Sequence, residues 1–331
     1  MANITAAEVN KLRQMTGAGM MDCKKALVEN DGDFDKAIDF LRKKGQKVAA
    51  NRAERDAKEG MILAATTADK QFGCIVMLSS ETDFVAKNAE FVAFVEKVSA
   101  AAIEKRAKTL EEVKALSIDG RSVEDHITDM VGKIGEKIEM AHFECLESPR
   151  VFAYNHHGNR LATLVAFDKE DAKDEVGHNV AMQIAAMNPI AVCEKDVPAA
   201  TIENEKAVAR EKTKQEQIQK AVDNALSKAG INPAHVDSEE HIESNTAKGW
   251  LTPEQAKQAR EIIATVSAEK AGNIPEAMLD NIVKGRVEKF YKENTLMHQE
   301  YIMDSKMNVG TYVKQNGDAT VVAFRRLQLG A

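Results

Sequence analysis

The apolar residues of this chain change their spacing several times between residues 5 and 327, and each change argues against a fold built from one kind of element. From Thr5 to Gly45 the spacing is helical. Thr5-Ala-Ala-Glu8 is a capping box, in which the Thr hydroxyl and the Glu carboxylate each satisfy an amide left free at a helix start. Val9 and Leu12 follow on one helix, and Met20, Cys23, Ala26 and Leu27 form the apolar set of a second after the turn Thr16-Gly17-Ala18-Gly19. Phe34, Ala37, Ile38 and Leu41 fall at i, i+3, i+4 and i+7 of a third, which is expected to end with Gly45 as its C-cap. About 45 residues support only a marginal core, so this three-helix module needs a further surface for rigidity.

At Met61 the spacing becomes that of strands. MILAATT and FGCIVMLSS, separated by Ala-Asp-Lys-Gln, read as a β-hairpin. A helix with Phe91, Val95, Val98 and Ala102 on one face follows, then a helix from about Ser122 to Lys133 and the strand-like KIEMAHFEC. The order then recurs: VFAYNH, a His157-Gly158-Asn159 turn, RLATLVAF, and a helix from Glu175 to about Met187. From Pro198 onward the chain is polar and rich in Ala, Lys and Glu, with a long helix ended by Gly230, another opening at Thr252-Pro253-Glu254-Gln255, and a return helix over 274–293. TVVAFRRL, residues 320–327, returns to strand spacing and is expected to complete the second sheet.

The expected fold class is therefore α+β: an N-terminal three-helix module, a core of two related antiparallel sheet-plus-helix subdomains, and a projecting helical hairpin resembling a coiled coil. The expected boundaries are 1–46 for the module, 47–60 for a basic linker, 61–148 for the first core subdomain, 149–198 plus 294–331 for the second, and 199–293 for the hairpin.

Composition narrows the function classes. The chain has 331 residues, 45 Lys and Arg against 52 Asp and Glu, and a formal net charge of -7, so it lacks the basic footprint of a protein that binds nucleic acid directly. Cys23, Cys74, Cys145 and Cys193 lie far apart with no CxxC pair or flanking His at ligand spacing, so they read as reduced thiols, and no metal or cofactor is expected. No apolar run reaches the ~18 residues a membrane span needs, and the N-terminus has neither an apolar signal core nor a transit pattern. The expectation is a soluble cytoplasmic protein. No GxSxG, Walker A, HExxH or Gly-rich dinucleotide loop is present, which argues against an enzyme.

ETDFVAKN, residues 81–88, falls between a strand and a helix. Thr82 or Asp83 suits an N-cap there. Phe84 either packs inward, as amphipathic Phe usually does, or projects from a firm corner beside a carboxylate. Met20 and Met21 are adjacent, so one of them is expected to face the small helical core.

Two stretches carry a family resemblance. LRQMTGAGMMDCKKAL, residues 12–27, resembles the N-terminal signature of the bacterial elongation factor Ts family, and ETDFVAKN resembles its core signature. Weaker similarities are the His157-Gly158 turn, VKGRVEKFYKE and the final FRRL, so the resemblance spans nearly the whole chain outside the middle of the hairpin. It implies a guanine-nucleotide exchange factor that binds elongation factor Tu·GDP and promotes GDP release by disturbing the Mg2+ and phosphate site, with no covalent chemistry. It further implies Asp83 and Phe84 as the wedge. Contacts to the partner fall to Thr82, Val85, Asn88, Arg13, Met20, Met21, His157 and Gly158, and His156 competes with His157 for its role. A homo-oligomer or a 2:2 complex is compatible with it. The three-helix start also resembles a ubiquitin-associated module, which leaves a non-catalytic adaptor or scaffold as the alternative. Two departures stand out: INPAHVDSEEHIESNTAKGWLTPEQ lengthens the hairpin tip and carries Trp250, and no extra helical module is expected after the last strand.

Overall fold

The computed structural model describes residues 4–330, which divide into two compact units, one of residues up to Val192 together with those from Glu300 onward and one of Cys193–Gln299. The first unit opens with α1 (Ala6–Thr16), α2 (Met20–Glu29) and α3 (Phe34–Arg52). The Thr5–Glu8 capping box is formed, and Val9, Leu12, Cys23, Ala26, Leu27 and Ala37 make a small common core. Gly45 does not end α3, which continues to Arg52. The reason is packing. Gly45 is buried where α3 crosses α7 (Val123–Ile134), and a Cβ on it would sit 2.9 Å from the Thr128 carbonyl oxygen, while one on Gly132 would sit 3.0 Å from the Gly45 Cα. Glycine here permits a close helix crossing, and the last turns of α3 gain partners because Val48 and Ala49 rest on the main core.

β1 (Glu59–Thr66) and β2 (Phe72–Ser80) form the first hairpin. After α4 (Asp83–Ala86), α5 (Ala89–Lys105), α6 (Leu110–Ala115) and a small ribbon of β3 (Ser117–Ile118) and β4 (Arg121–Ser122), α7 leads to β5 (Ile138–Glu147), which pairs with β2. The sheet order is β1-β2-β5. The second half repeats this plan. β6 (Arg150–Asn155) and β7 (Leu161–Phe167) form a hairpin, α8 (Asp174–Met187) follows, and the last strand pairs with β7. Every pairing is antiparallel, as the α+β reading requires.

The inner faces of the two sheets share a core. Ile62, Ala64, Ile75 and Met77 from the first pack with Val151, Ala162, Leu164 and Ala166 from the second. Phe72, Val76 and Leu78 point the other way, into a larger core closed by Phe91, Val95, Val98 and Ala102 of α5. This is the period-two alternation of strands covered on both faces.

The second unit contains α9 (Ala199–Lys228), α10 (Glu239–Ala247), α11 (Pro253–Gly272) and α12 (Glu276–Asn294). Thr252 and Gln255 complete a capping box at α11, with Pro253 in its first turn. The tip of this unit has a core of its own, in which Val222, Leu226, Ile231, Val236, Ile242, Leu251, Ala256 and Ala259 are buried together. Asn245 is buried with them and donates from its side chain to the His235 carbonyl at 2.9 Å, while Trp250 stays outside this core with its ring exposed.

The chain rejoins the first unit through a ribbon of β8 (Glu300–Tyr301) and β9 (Asp304–Asn308), then α13 (Val309–Asn316) and β10 (Val321–Gln328), giving the sheet order β10-β7-β6. The ribbon and α13 left no trace in the sequence pattern. The buried Gln183 side chain holds the ribbon, donating to the Glu300 carbonyl at 3.1 Å and accepting from the Ile302 amide at 2.9 Å.

Candidate functional site: a pinned corner with an exposed phenylalanine

β2 ends at Ser80, whose hydroxyl donates to the Thr82 carbonyl at 2.9 Å and turns the chain. The next two residues are both held from outside the corner. Glu81 accepts from Arg52 Nη1 at 2.8 and 3.0 Å and from the Lys137 amide at 2.6 Å, with Arg55 at 3.6 Å. Burial favours its neutral form, but the Lys137 amide and Arg52 outweigh that effect and hold the carboxyl below the usual glutamate range. Thr82 donates its hydroxyl to Glu136 at 3.0 Å and its amide to the same carboxylate at 3.1 Å. Thr82 does occupy the N-cap position of α4, yet its side chain makes no capping bond because Glu136 has taken it.

On the single turn of α4 the two central residues part. Val85 enters the main core, whereas Phe84 is 84% exposed. Phe84 thus does not pack inward. Leaving a Phe in water forgoes roughly 1.5–3 kcal/mol of burial, a cost that any polar residue at this position would avoid. The Asp83 carboxylate bonds Lys87 Nζ at 2.6 Å, which lowers its pKa, and both groups are open to solvent. Asn88 caps α5, accepting from the Glu90 amide at 2.8 Å.

The N-terminal signature lies on the neighbouring surface. Met20 is 56% and Met21 74% exposed, so neither fills the module core, which corrects the expectation that one would. Met20 and Met21 open α2, whose buried positions go instead to Cys23, Ala26 and Leu27, packed with Val9, Leu12 and Ala37. Arg13 and Met15 are exposed as well, Met15 being an apolar member of this surface that spacing alone did not single out. The turn at Gly17 abuts the Lys133 side chain, and Lys133 Nζ bonds Glu90 Oε2 at 2.5 Å, one turn beyond the corner.

The third element is the β6–β7 turn. Gly158 and Asn159 both have positive φ, 83° and 52°, and the Asn159 amide donates to the His156 carbonyl at 3.0 Å to close the turn. His156 is tied to the Tyr154 hydroxyl at 2.9 Å, whereas His157 is exposed and has no hydrogen-bond or ion-pair partner among the described residues. The turn is joined to the first half by the Asn159 carbonyl, which accepts from the Ile62 amide at 2.8 Å, and by an Arg160–Glu59 ion pair. Glu59 stands opposite Ser80 in the β1–β2 hairpin, so this turn and the corner lie at the same end of that hairpin. Sequence reasoning did not single out Glu81, Arg52 or Glu136, whose partners lie 29 and 54 residues apart and leave no periodic signal.

Among the described residues no group of His, Cys, Asp and Glu is arranged to hold a metal ion, and no helix is long and apolar enough to cross a membrane. The described residues thus combine an α+β fold with a braced corner that presents an exposed apolar side chain. The family model described as Elongation factor TS matches residues 81–331. Curated proteins named Elongation factor Ts are similar over the whole length: that of Phocaeicola vulgatus is 54% identical over 330 residues, that of Parabacteroides distasonis 52% over 330, each with 99% of both chains covered, and that of Christiangramia forsetii 42% over 332 with 100% of both covered. The chain belongs to the elongation factor Ts family, and is thereby a translation elongation factor.

Proposed function

We propose that this protein is a guanine-nucleotide exchange factor that binds elongation factor Tu·GDP and expels GDP, acting in the cytoplasm without covalent chemistry or direct contact with nucleic acid. The observation that carries the reading is the Phe84 ring, 84% exposed on a turn whose preceding two residues are both anchored. An aromatic offered from a fixed support loses little entropy on insertion, so most of its burial energy is available to displace whatever occupied the receiving site. Asp83 enters alongside it. Its exposed bond to Lys87 is exchangeable for a donor on the partner at small cost, because solvent screens an ion pair that is open on both sides.

Guanine nucleotides are held by Mg2+ and a phosphate-cradling loop, so moving the elements around the metal removes a large share of their affinity. The factor binds the empty GTPase better than the loaded one, and by the same linkage an incoming nucleotide releases the factor. In this reading Arg13, Met20 and Met21 dock the N-terminal module, and flexible methionines suit a partner that changes shape. His157 and Gly158 touch a second part of the partner. Thr82, Val85 and Asn88 serve the contact from within by shaping the corner.

The test is release of fluorescent GDP from elongation factor Tu by the wild type and by the Asp83→Ala/Phe84→Ala variant, each shown to be folded by circular dichroism. Strong acceleration by the wild type and little by the variant is the expected result. A wild type that binds without accelerating release overturns the reading and leaves an adaptor.

A further inference from the structure

Two helices end at the corner, and between them they grip two of its residues. Arg52, the last residue of α3, holds Glu81 with one Nη1 shared between both carboxylate oxygens. Glu136 and Lys137, just past the end of α7 at Gly135, hold Thr82 and the Glu81 carboxylate. The Glu81 side chain is only 13% exposed and Arg52 30%, so this pair is shielded where most ion pairs of the chain are open. The same α3 begins at Phe34 within the three-helix module and is pressed against α7 at the Gly45–Gly132 crossing. A single 19-residue helix therefore runs from the module bearing Arg13, Met20 and Met21 to the residue that fixes the base of the wedge.

We infer that Arg52 and Glu81 are positioning residues that make docking of the N-terminal module and insertion of Phe84 one event, an inference that rests on the exchange reading above. Neither side chain reaches the partner. Their pairing fixes the direction in which α4 leaves β2, so docking energy gathered at the module is spent on the wedge and not lost in slack between them. Without the pair, the module still docks, Arg55 still faces Glu81 and the Lys137 amide still donates to it, and α4 gains freedom.

The experiment measures GDP release from elongation factor Tu against factor concentration for the wild type, Arg52→Ala, Arg52→Lys, Phe84→Ala and the Arg52→Ala/Phe84→Ala double variant, with thermal melting of each. The expected result is a maximal rate lowered about tenfold in Arg52→Ala with a half-saturating concentration changed less than about threefold, and recovery of most of the rate in Arg52→Lys. The double variant should be no slower than Phe84→Ala alone, because the pair acts only through the ring. Additive losses in the double variant, an Arg52→Ala effect confined to the half-saturating concentration, or unchanged exchange overturn the inference while leaving the exchange function standing. A wild type without acceleration removes the function itself.

Discussion

The two halves of the core share one plan, a hairpin followed by helix and a third strand laid beside the second, yet they differ at the corner after that second strand. Four residues past the end of β2 stands Phe84, and four past the end of β7 stands Asp171; both are exposed. One residue later Val85 and Ala172 are both buried. The backbone plan thus dictates an inward and an outward position at each corner, and only the side chain in the outward position distinguishes them. The second half serves as an internal control: the fold does not require an exposed aromatic there, so the one in the first half is present for a reason other than folding.

The sharpest way to break this comparison is Phe84→Ala. It should slow exchange by more than tenfold, as loss of an interfacial aromatic contributing about 2 kcal/mol or more implies, and leave the melting temperature unchanged, since the ring touches no core. A loss of stability instead would make the two corners structurally unlike. Next in size is Gly177→Ala in α8. The added Cβ would lie 2.1–2.4 Å from ring atoms of Phe152, a close approach that only glycine permits. Overpacking of this kind costs about 1–3 kcal/mol, so denaturant unfolding should show a lower midpoint, while exchange per folded molecule stays at the wild-type rate if the second half only supports the first.

Glu81→Gln removes a shielded charge from Arg52 and should cost about 1–2 kcal/mol near neutral pH. Because the Glu81 carboxyl titrates below its unfolded value, its contribution is complete above about pH 4.3 and fades as the pH falls through the lower folded value. The melting temperatures of wild type and variant should accordingly converge in acid; a constant difference down to pH 3 would show that the charge is not the source. The smallest effect belongs to Asp171→Phe placed in the Phe84→Ala background. An aromatic at the second corner should restore no measurable exchange, and recovery would mean that any exposed ring on this fold suffices.

Much of this plan was legible in the sequence because it rests on local signals. The capping boxes at Thr5 and Thr252, the strand runs after Met61 and the turn at Gly158 are short-range patterns with a direct physical cause. α3 passed through Gly45 because of a helix crossing with residues near Thr128, a contact that spacing cannot reveal. Met20 and Met21 both face outward because the small core of the module is built from six other residues. Phe84 was open to two readings from sequence, and its exposure is decided by Val85 taking the inward place. The residues that brace the corner were out of reach, since an Arg and a Glu 29 positions apart resemble any other surface charges until the chain is folded.

The long excursion between α8 and β10 has a consequence for the order in which the molecule assembles. β2 and β5 lie within 76 residues of chain, residues 72–147, whereas β10 must find β7 after the whole of Cys193–Gln299 has intervened. Pairings across longer stretches form more slowly, although the entropic penalty grows only logarithmically with length. The first sheet, with its corner and wedge, can therefore mature while later residues are still being synthesised. The second sheet has only a two-stranded hairpin until β10 emerges, and an isolated hairpin is marginal in water. In a nascent chain, the β7 edge that β10 will cover stays unpaired until then, and is the segment a chaperone would have most reason to shield.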